Sequence, residues 1–472
     1  MKSAVVGILV LALLPSCGRD TDSPSPADSK KSTEASQPLS LLLVVVDTLR
    51  ADHLGVYGYE LPTSPVLDEF AQKATVYEEA ITPAPFTMPA MAALFTGLYP
   101  DRTGVINHEP RNTLNLAKAD TLAELAQRAG YRTHAVVTNS WLTNKKMGFR
   151  RGFDVYKGKL VDATRVTHKA MQRLEEIGDD PFLLWVHYID THMPYQPPKK
   201  FAELFGNSST TSQVIKDFKS GERRKDEIYF AGDYPPEELE ATRQLYDASI
   251  RYVDTHIGVL FDALERSGRR DDTIVVVVSD HGESLGEHGL YFAHDFALYE
   301  ELTRVPLMIS IPGQPPARVT GEVSLVDLVP SLCIWLEISC EEVMDGTPLP
   351  LDGRAESGRA VFAASAPFRD RYASSPRLYL HGVDGRWTML RRGGKKLIRI
   401  PHPDAAIWEL YDVRNDAREA KNLVDHEAPR ALRDTLLKWE ESMRQARPAA
   451  AEDPGQLDPE TLEELRALGY TR

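Results

Sequence analysis

The 472-residue sequence predicts an α/β fold, a mostly parallel doubly wound sheet followed by a small C-terminal antiparallel α+β subdomain. Three observations carry this expectation. Short apolar runs rich in β-branched residues recur between Leu41 and Ile311, as expected of strands buried on both faces. Amphipathic stretches of helical length lie between them, and strands alternating with helices imply a parallel sheet covered on both sides. From about Ala355 the pattern changes to shorter alternating stretches with Gly turns (RLYLHGVDGRWTMLRRGGKKLIRI), the mark of an antiparallel sheet.

Met1 to Cys17 (MKSAVVGILVLALLPSC) carries one Lys and then an apolar run from Ala4 to Leu14 that is too short to span a bilayer, so it reads as a signal peptide. Its ending, LLPSC, resembles a bacterial lipoprotein box in which Cys17 is lipidated and becomes the mature N-terminus; a plain secretory signal with an incidental Cys is the alternative. Residues 18–38 (GRDTDSPSPADSKKSTEASQP) are rich in Ser, Pro and charge and form a flexible tether. Residues 39–350 then make the main domain, 351–446 the small subdomain, and 447–472 a linker with a terminal helix docking back on the body. This organisation places the body in the bacterial cell envelope, periplasmic or surface-facing and held to a membrane by its lipid. The net charge of −14, from 55 basic and 69 acidic residues, argues against nucleic acid as a partner. Beyond Cys17 only Cys333 and Cys340 remain, and geometry decides whether they pair. No CxxC pair offers thiolates to zinc.

The expected strands are Leu41–Val46, Ala135–Val137, Phe182–Val186, Ile274–Val278 and Pro306–Ile311. The expected helices start at Ser64-Pro65 (PVLDEFAQKA), at Thr87 (TMPAMAALFTG), at Asp120 (TLAELAQRAG) and at Pro235, the last a long one. Thr87 is the expected N-cap of its helix and Gly97 its left-handed C-cap. In the C-terminal part, WELYDVRNDAREAKNL reads as strand, turn and helix.

In sheets of this type ligands bind beyond the carboxyl ends of the strands. Asp47 follows the first run, Thr138 and Asn139 the second, His187, Asp190 and His192 the third, and Ser279, Asp280 and His281 the fourth. Each alone suits a turn or a cap. Together, rich in Asp and His, they can converge on a metal. Thr87 stands at a helix N-terminus, which is also an anion site.

The stretches VVVDTLRADHLGVYGY (44–59), FTMPAMAALFTGLYPDRTGV (86–105), GYRTHAVVTNSWL (130–142), PFLLWVHYIDTHMPY (181–195), VVVSDHGESLGEHG (276–289), HDFALYEELTRVPLMISIPG (294–313) and LYDVRNDAREAKNL (410–423) follow one another in a recognisable order. In that order the chain resembles the sulfatase branch of the alkaline phosphatase superfamily, from about Leu39 to Leu423. The resemblance implies an oxygen nucleophile on a divalent cation. It carries Asp47, Asp280 and His281 over as metal ligands and Thr87 as the metal-bound nucleophile. It makes His192 the residue that contacts the transferred group or protonates the leaving oxygen. Asn139 falls near the family's Lys in a G-K-W segment, and His294 near another Lys that contacts the leaving oxygen. His187 is expected to be structural, and Glu283, Glu287 and His288 to cap loops. Few carboxylates and one imidazole point to one ion, Ca²⁺, Mn²⁺ or Zn²⁺; the imidazole tilts the choice toward Mn²⁺ or Zn²⁺.

The chain departs from the family at the nucleophile. Sulfatases of this family typically carry C-x-P-S-R, whose Cys becomes a formylglycine; here Thr87, Met88, Pro89, Ala90 and Met91 stand in its place. Thr cannot yield that aldehyde, so no formylglycine is expected. Thr48 replaces the second acid of an Asp-Asp pair. The expected activity is hydrolysis or transfer of phosphate or phosphonate esters through a covalent Thr87 intermediate. The alternatives are a sulfatase with an unusual nucleophile and an inactive member that binds sulfated or phosphorylated glycans. The expected partner is an anionic ester of a glycan, lipid or small molecule, with specificity in insertions such as Lys199 to Tyr234.

Overall fold

The computed structural model describes residues 38–468, except 110–111, 207–208, 222, 224, 232–233, 341–342, 352, 354, 356–357, 368–382, 384, 427–428, 450–456 and 458. The signal peptide, Cys17 and all of the tether but Pro38 lie outside the described residues. Among the described residues no helix is long and apolar enough to cross a membrane.

The strands are β1 Ser40–Val46, β2 Thr75–Ile81, β3 Arg132–Val137, β4 Val155–Gly158, β5 Phe182–Tyr188, β6 Thr273–Val278, β7 Ser284–Leu285, β8 Tyr291–Ala293, β9 Arg304–Val305, β10 Leu307–Ser310, β11 Ala317–Ser324, β12 Val361–Ala364, β13 Thr388–Arg392, β14 Lys395–Ile400 and β15 Ile407–Asp412. The main sheet runs β11-β2-β10-β6-β1-β5-β3-β4, with β9 paired to β2. β1 lies between β5 and β6 and is parallel to both. Within the main sheet, among the described residues, only β9 and β10 run against the other strands. β2, β4 and β11 were not expected from the sequence, because polar side chains break their apolar runs. In β2, Glu79 is held by Arg391 of the C-terminal sheet at 2.6 Å. An acidic residue inside a strand is thus explained by a partner far away in sequence.

Every residue of β1 is buried. Alternate side chains leave opposite faces of a strand, and the two cores divide accordingly. Leu42, Val44 and Val46 pack with Ile257 and Leu260 of the long helix Pro236–Arg266. Leu41, Leu43 and Val45 pack with Met88, Met91 and Phe95 of the helix Thr87–Thr96. That second helix is buried at all ten positions, so its sequence is apolar all round rather than striped.

Two helix starts differ from expectation. Phe86 is the N-cap and Thr87 is the first helical residue, with no side-chain capping bond, because the Thr87 hydroxyl is directed away toward other side chains. Gly97 ends the helix at φ 68°, as expected. The next helix begins at Leu122 and its cap is Thr121 rather than Asp120, since Thr121 and Glu124 form a reciprocal capping box.

The strands β12 to β15 form the antiparallel C-terminal sheet in sequence order, with a two-glycine turn, Gly393 at φ 62° and Gly394 at φ 78°, closing the hairpin of β13 and β14. The helix expected at the end of WELYDVRNDAREAKNL is absent. The Asp416 carboxylate accepts from Ala420 N and Lys421 N at 3.1 and 2.9 Å, and Glu419, at φ 49°, reaches Lys396 at 3.0 Å. A helix appears instead at Arg430–Ala446. Cys333 and Cys340 are joined in a disulfide with Cα atoms 6.2 Å apart. The terminal helix Pro459–Ala467 docks on the body through buried Leu465 and through Glu464, which accepts from the Ser140 hydroxyl at 2.9 Å.

The loop after β6 is held closely. Gly282 N donates to Leu302 O at 3.0 Å, and a Cβ on Gly282 would lie 1.9 Å from the Glu301 carbonyl oxygen. Gly282→Ala is therefore expected to lower stability by about 1–3 kcal/mol, read from the midpoint of denaturant unfolding; an unchanged midpoint would refute this packing.

Candidate active site

Asp47 and Asp280 leave the carboxyl ends of two adjacent parallel strands, β1 and β6, so their carboxylates meet in the interior with both residues fully buried. Each has one oxygen bonded and one bare. Asp47 Oδ2 accepts from the Asn139 amide at 2.8 Å, and Asp280 Oδ1 accepts from His281 N at 3.0 Å and Thr48 N at 3.4 Å. Asp47 Oδ1 and Asp280 Oδ2 make no hydrogen bond. They lie 3.6 and 3.5 Å from His281 Nε2. Burial, with the nearby Asp280 charge second, raises Asp47 well above the usual carboxylate range; burial pushes Asp280 up to about 7. Two bare carboxylate oxygens, both within 3.6 Å of one imidazole nitrogen and all out of water, fit a divalent cation.

His281 has a fixed tautomer. Its Nδ1 is 2.9 Å from the Gly282 carbonyl, which can only accept, so Nδ1 donates and the neutral ring turns the Nε2 lone pair inward. Burial lowers its pKa and keeps it neutral. The Thr87 hydroxyl lies 3.4 Å from this Nε2 and 3.3 Å from the Asn139 amide nitrogen. Asn139 thus joins Thr87 to Asp47, while its own Oδ1 caps the next helix at Trp141 N, 3.0 Å away. Thr87 also sits at the positive end of a fully buried helix, where Pro89 supplies no N–H.

Two further imidazoles flank the centre. The His294 ring is 4.7 Å from that of His281 and 4.9 Å from that of His192. His294 Nδ1 is held by Glu283 Oε1 at 2.9 Å, and Tyr195 donates to Glu283 Oε2 at 3.2 Å. His192 Nδ1 donates to the Met193 carbonyl at 2.6 Å; burial, then His294, draws its pKa down to about 3, so it is neutral at physiological pH and its Nε2 is an acceptor.

The structure therefore brings Asp47, Thr87, Asn139, Asp280 and His281 together, with His192 and His294 beside them. Two residues given bland readings from sequence stand closer than expected. His187 brings a second imidazole: its Nε2 is 3.7 Å from Asp47 Oδ2, and Asp47, His187 and Asp280 each offer a ligand atom within 4.8 Å of the others. Glu283 anchors His294 instead of capping a loop. Glu287 does cap, accepting from Leu285 N at 2.7 Å and pairing with Arg50 at 2.9 Å. His288 stacks on Tyr299, with ring centres 3.6 Å apart. His108, overlooked in the sequence because no strand precedes it, stacks on Trp141 at 5.1 Å; its pKa is depressed by burial first and then by the charges of His294, His281 and His192.

A family model described as Sulfatase matches residues 40–338. The choline-sulfatase of Rhizobium meliloti (strain 1021) is 26% identical over 446 residues, covering 82% of this chain and 82% of that protein. The phosphonate monoester hydrolase of Agrobacterium radiobacter superposes with a TM-score of 0.69 at 21% identity, covering 88% of this chain and 100% of that one. A structure solved in complex with its substrate D-glucosamine-2-N,6-O-disulfate superposes with a TM-score of 0.67 at 19% identity, covering 87% of this chain and 98% of that one.

Two buried carboxylates repel when no cation lies between them. Asp280→Asn is expected to raise the melting temperature of the chelator-treated protein at pH 8 by about 2 °C or more and to abolish the rise that added divalent metal gives the wild type. Scanning calorimetry with and without metal reads both; a lowered melting temperature in the chelated variant would contradict the repulsion.

Proposed function

Since this chain belongs to the sulfatase family and is a hydrolase of ester bonds, we propose that it acts on phosphate or phosphonate esters through a covalent intermediate on Thr87, releasing the group to water or to an acceptor alcohol. The observation that carries this reading is the Thr87 hydroxyl itself, at the start of a buried helix, 3.3 Å from the Asn139 amide and 3.4 Å from His281 Nε2. No aldehyde can be made from that side chain, and a phosphorylated threonine needs none.

Asp47, Asp280 and His281 would hold the cation, and their imidazole favours Mn²⁺ or Zn²⁺ over Ca²⁺. The bound ion supplies charge that lowers the pKa of the Thr87 hydroxyl and offsets the negative oxygens of the ester. The chain's own residues do the rest. Asn139 donates to Oγ1 and fixes the direction of its remaining lone pair and proton. The helix N-terminus favours the anionic group beside Thr87. His294, whose Nδ1 is held by Glu283, would deliver a proton to the leaving oxygen from Nε2. His192, its Nδ1 spent on the Met193 carbonyl, would contact the transferred group through Nε2 once that nitrogen carries a proton.

A second reading, sulfuric ester hydrolysis with the same hydroxyl, is favoured by the several relatives named sulfatases, the choline-sulfatase among them. Either way the substrate is an anionic ester. The envelope location and lipid anchor are part of the proposal and rest on residues 1–38 alone.

Thr87→Ala is expected to lower kcat by about 10³-fold or more on aryl phosphate and phosphonate esters while metal content is kept. Acid-quenched wild type should yield a phosphorylated peptide containing Thr87, detected by mass spectrometry. Turnover that survives Thr87→Ala would remove the nucleophile, and faster turnover of sulfate than of phosphorus esters would select the second reading.

A further inference from the structure

We infer that His187 is a direct ligand of the divalent ion. The inference rests on the reading of this centre as a metal-dependent hydrolase and adds a ligand that the family resemblance does not supply. The resemblance leaves position 48 short of a carboxylate: Thr48 stands there, and its hydroxyl is turned back onto the Asp47 carbonyl at 2.7 Å. The ion therefore lacks one donor, and the chain brings another from a different strand. β5 pairs with β1 in parallel so that His187 lies beside Val45. Asp47, directly after β1, is two residues on from Val45 and its N–H still pairs with Tyr188 O of β5 at 2.9 Å, so His187 shares the side of Val45 and Asp47.

The state of the ring supports coordination. His187 is fully buried, and neither ring nitrogen makes a hydrogen bond. His281 and His192 each spend Nδ1 on a backbone carbonyl, whereas His187 spends nothing. A buried imidazole with both nitrogens unsatisfied is costly. The bare oxygens Asp47 Oδ1 and Asp280 Oδ2 lie in the same interior, and Asp47, His187 and Asp280 offer atoms within 4.8 Å of one another. With His281 the set becomes two carboxylates and two imidazoles. A set half nitrogen prefers Zn²⁺, Mn²⁺ or Co²⁺ over Ca²⁺.

The test uses the full chain, stripped with chelator and loaded with one equivalent of Co²⁺. Proton NMR of the loaded wild type should contain two exchangeable, hyperfine-shifted imidazole N–H resonances, one from each coordinated histidine, and His187→Ala should lose one of them. Equilibrium dialysis against Zn²⁺ should give an affinity roughly 100-fold lower for His187→Ala, with an unchanged far-ultraviolet circular dichroism spectrum. A single resonance in the wild type overturns the assignment without any variant having to fold. Unchanged Zn²⁺ affinity in a folded His187→Ala overturns it as well, while loss of binding in Asp280→Asn leaves the parent reading standing. A wild type that takes up no ion overturns both.

Discussion

The repulsion between the carboxylates of Asp47 and Asp280 is the constraint around which this structure is arranged. Two anions at the ends of adjacent strands, both out of water, are tolerable only with compensation. The compensation is visible in the local architecture. Backbone N–H groups take one oxygen of Asp280 and the Asn139 amide takes one of Asp47, while the two oxygens that remain and the inward lone pair of a neutral His281 are all acceptors, which only a cation among them would reconcile. The apolar strands around them make this expensive arrangement rigid. β1 and β6 are buried along their whole length and paired in register up to Val45 and Val278, so the two carboxylates cannot drift apart.

Most of this was legible in the sequence because it depends on local pattern. A run such as LLLVVV followed by Asp47 announces a buried parallel strand and, beyond its carboxyl end, a place for a ligand. IVVVV followed by Asp280 and His281 says the same. What the sequence did not disclose depends on pairing across the fold. β2 escaped because Glu78 and Glu79 look wrong for a strand until Arg318 and Arg391 come to meet them. His187 looked like an ordinary core residue because nothing local says that its strand lies against β1 in the register that carries it to Asp47. Glu283 looked like a loop residue because its partner, His294, arrives only after a short hairpin of β7 and β8. The helix anticipated at the end of WELYDVRNDAREAKNL is missing for a related reason: Glu419 is drawn into the interior by Lys396, which is contributed by another strand.

The position of Thr87 shows how little a cap reading and a chemical reading differ in sequence. A Thr before an apolar run ending in Gly suits an N-cap. Moved one residue into the helix, the same side chain has no backbone to bond and is offered instead to Asn139 and His281. The surrounding helix, buried at every position, has no solvent-facing stripe. Its orientation is set by the sheet beneath it and by the segment around Val326 and Tyr99 above it.

The docking of the terminal helix has a consequence for how the molecule comes into being. Glu464 receives the hydroxyl of Ser140, the neighbour of Asn139, and Leu160 N as well, contacts that bridge 324 and 304 positions of chain. Contacts of such long sequence separation are late to form, since the chain must close a large loop before they repay it. The segment that carries Asn139 is therefore braced only once residues 459–467 have docked on it. A chain without residues 459–467 lacks the brace behind that amide, which ties the positioning of Asn139 to the docking of this distant helix.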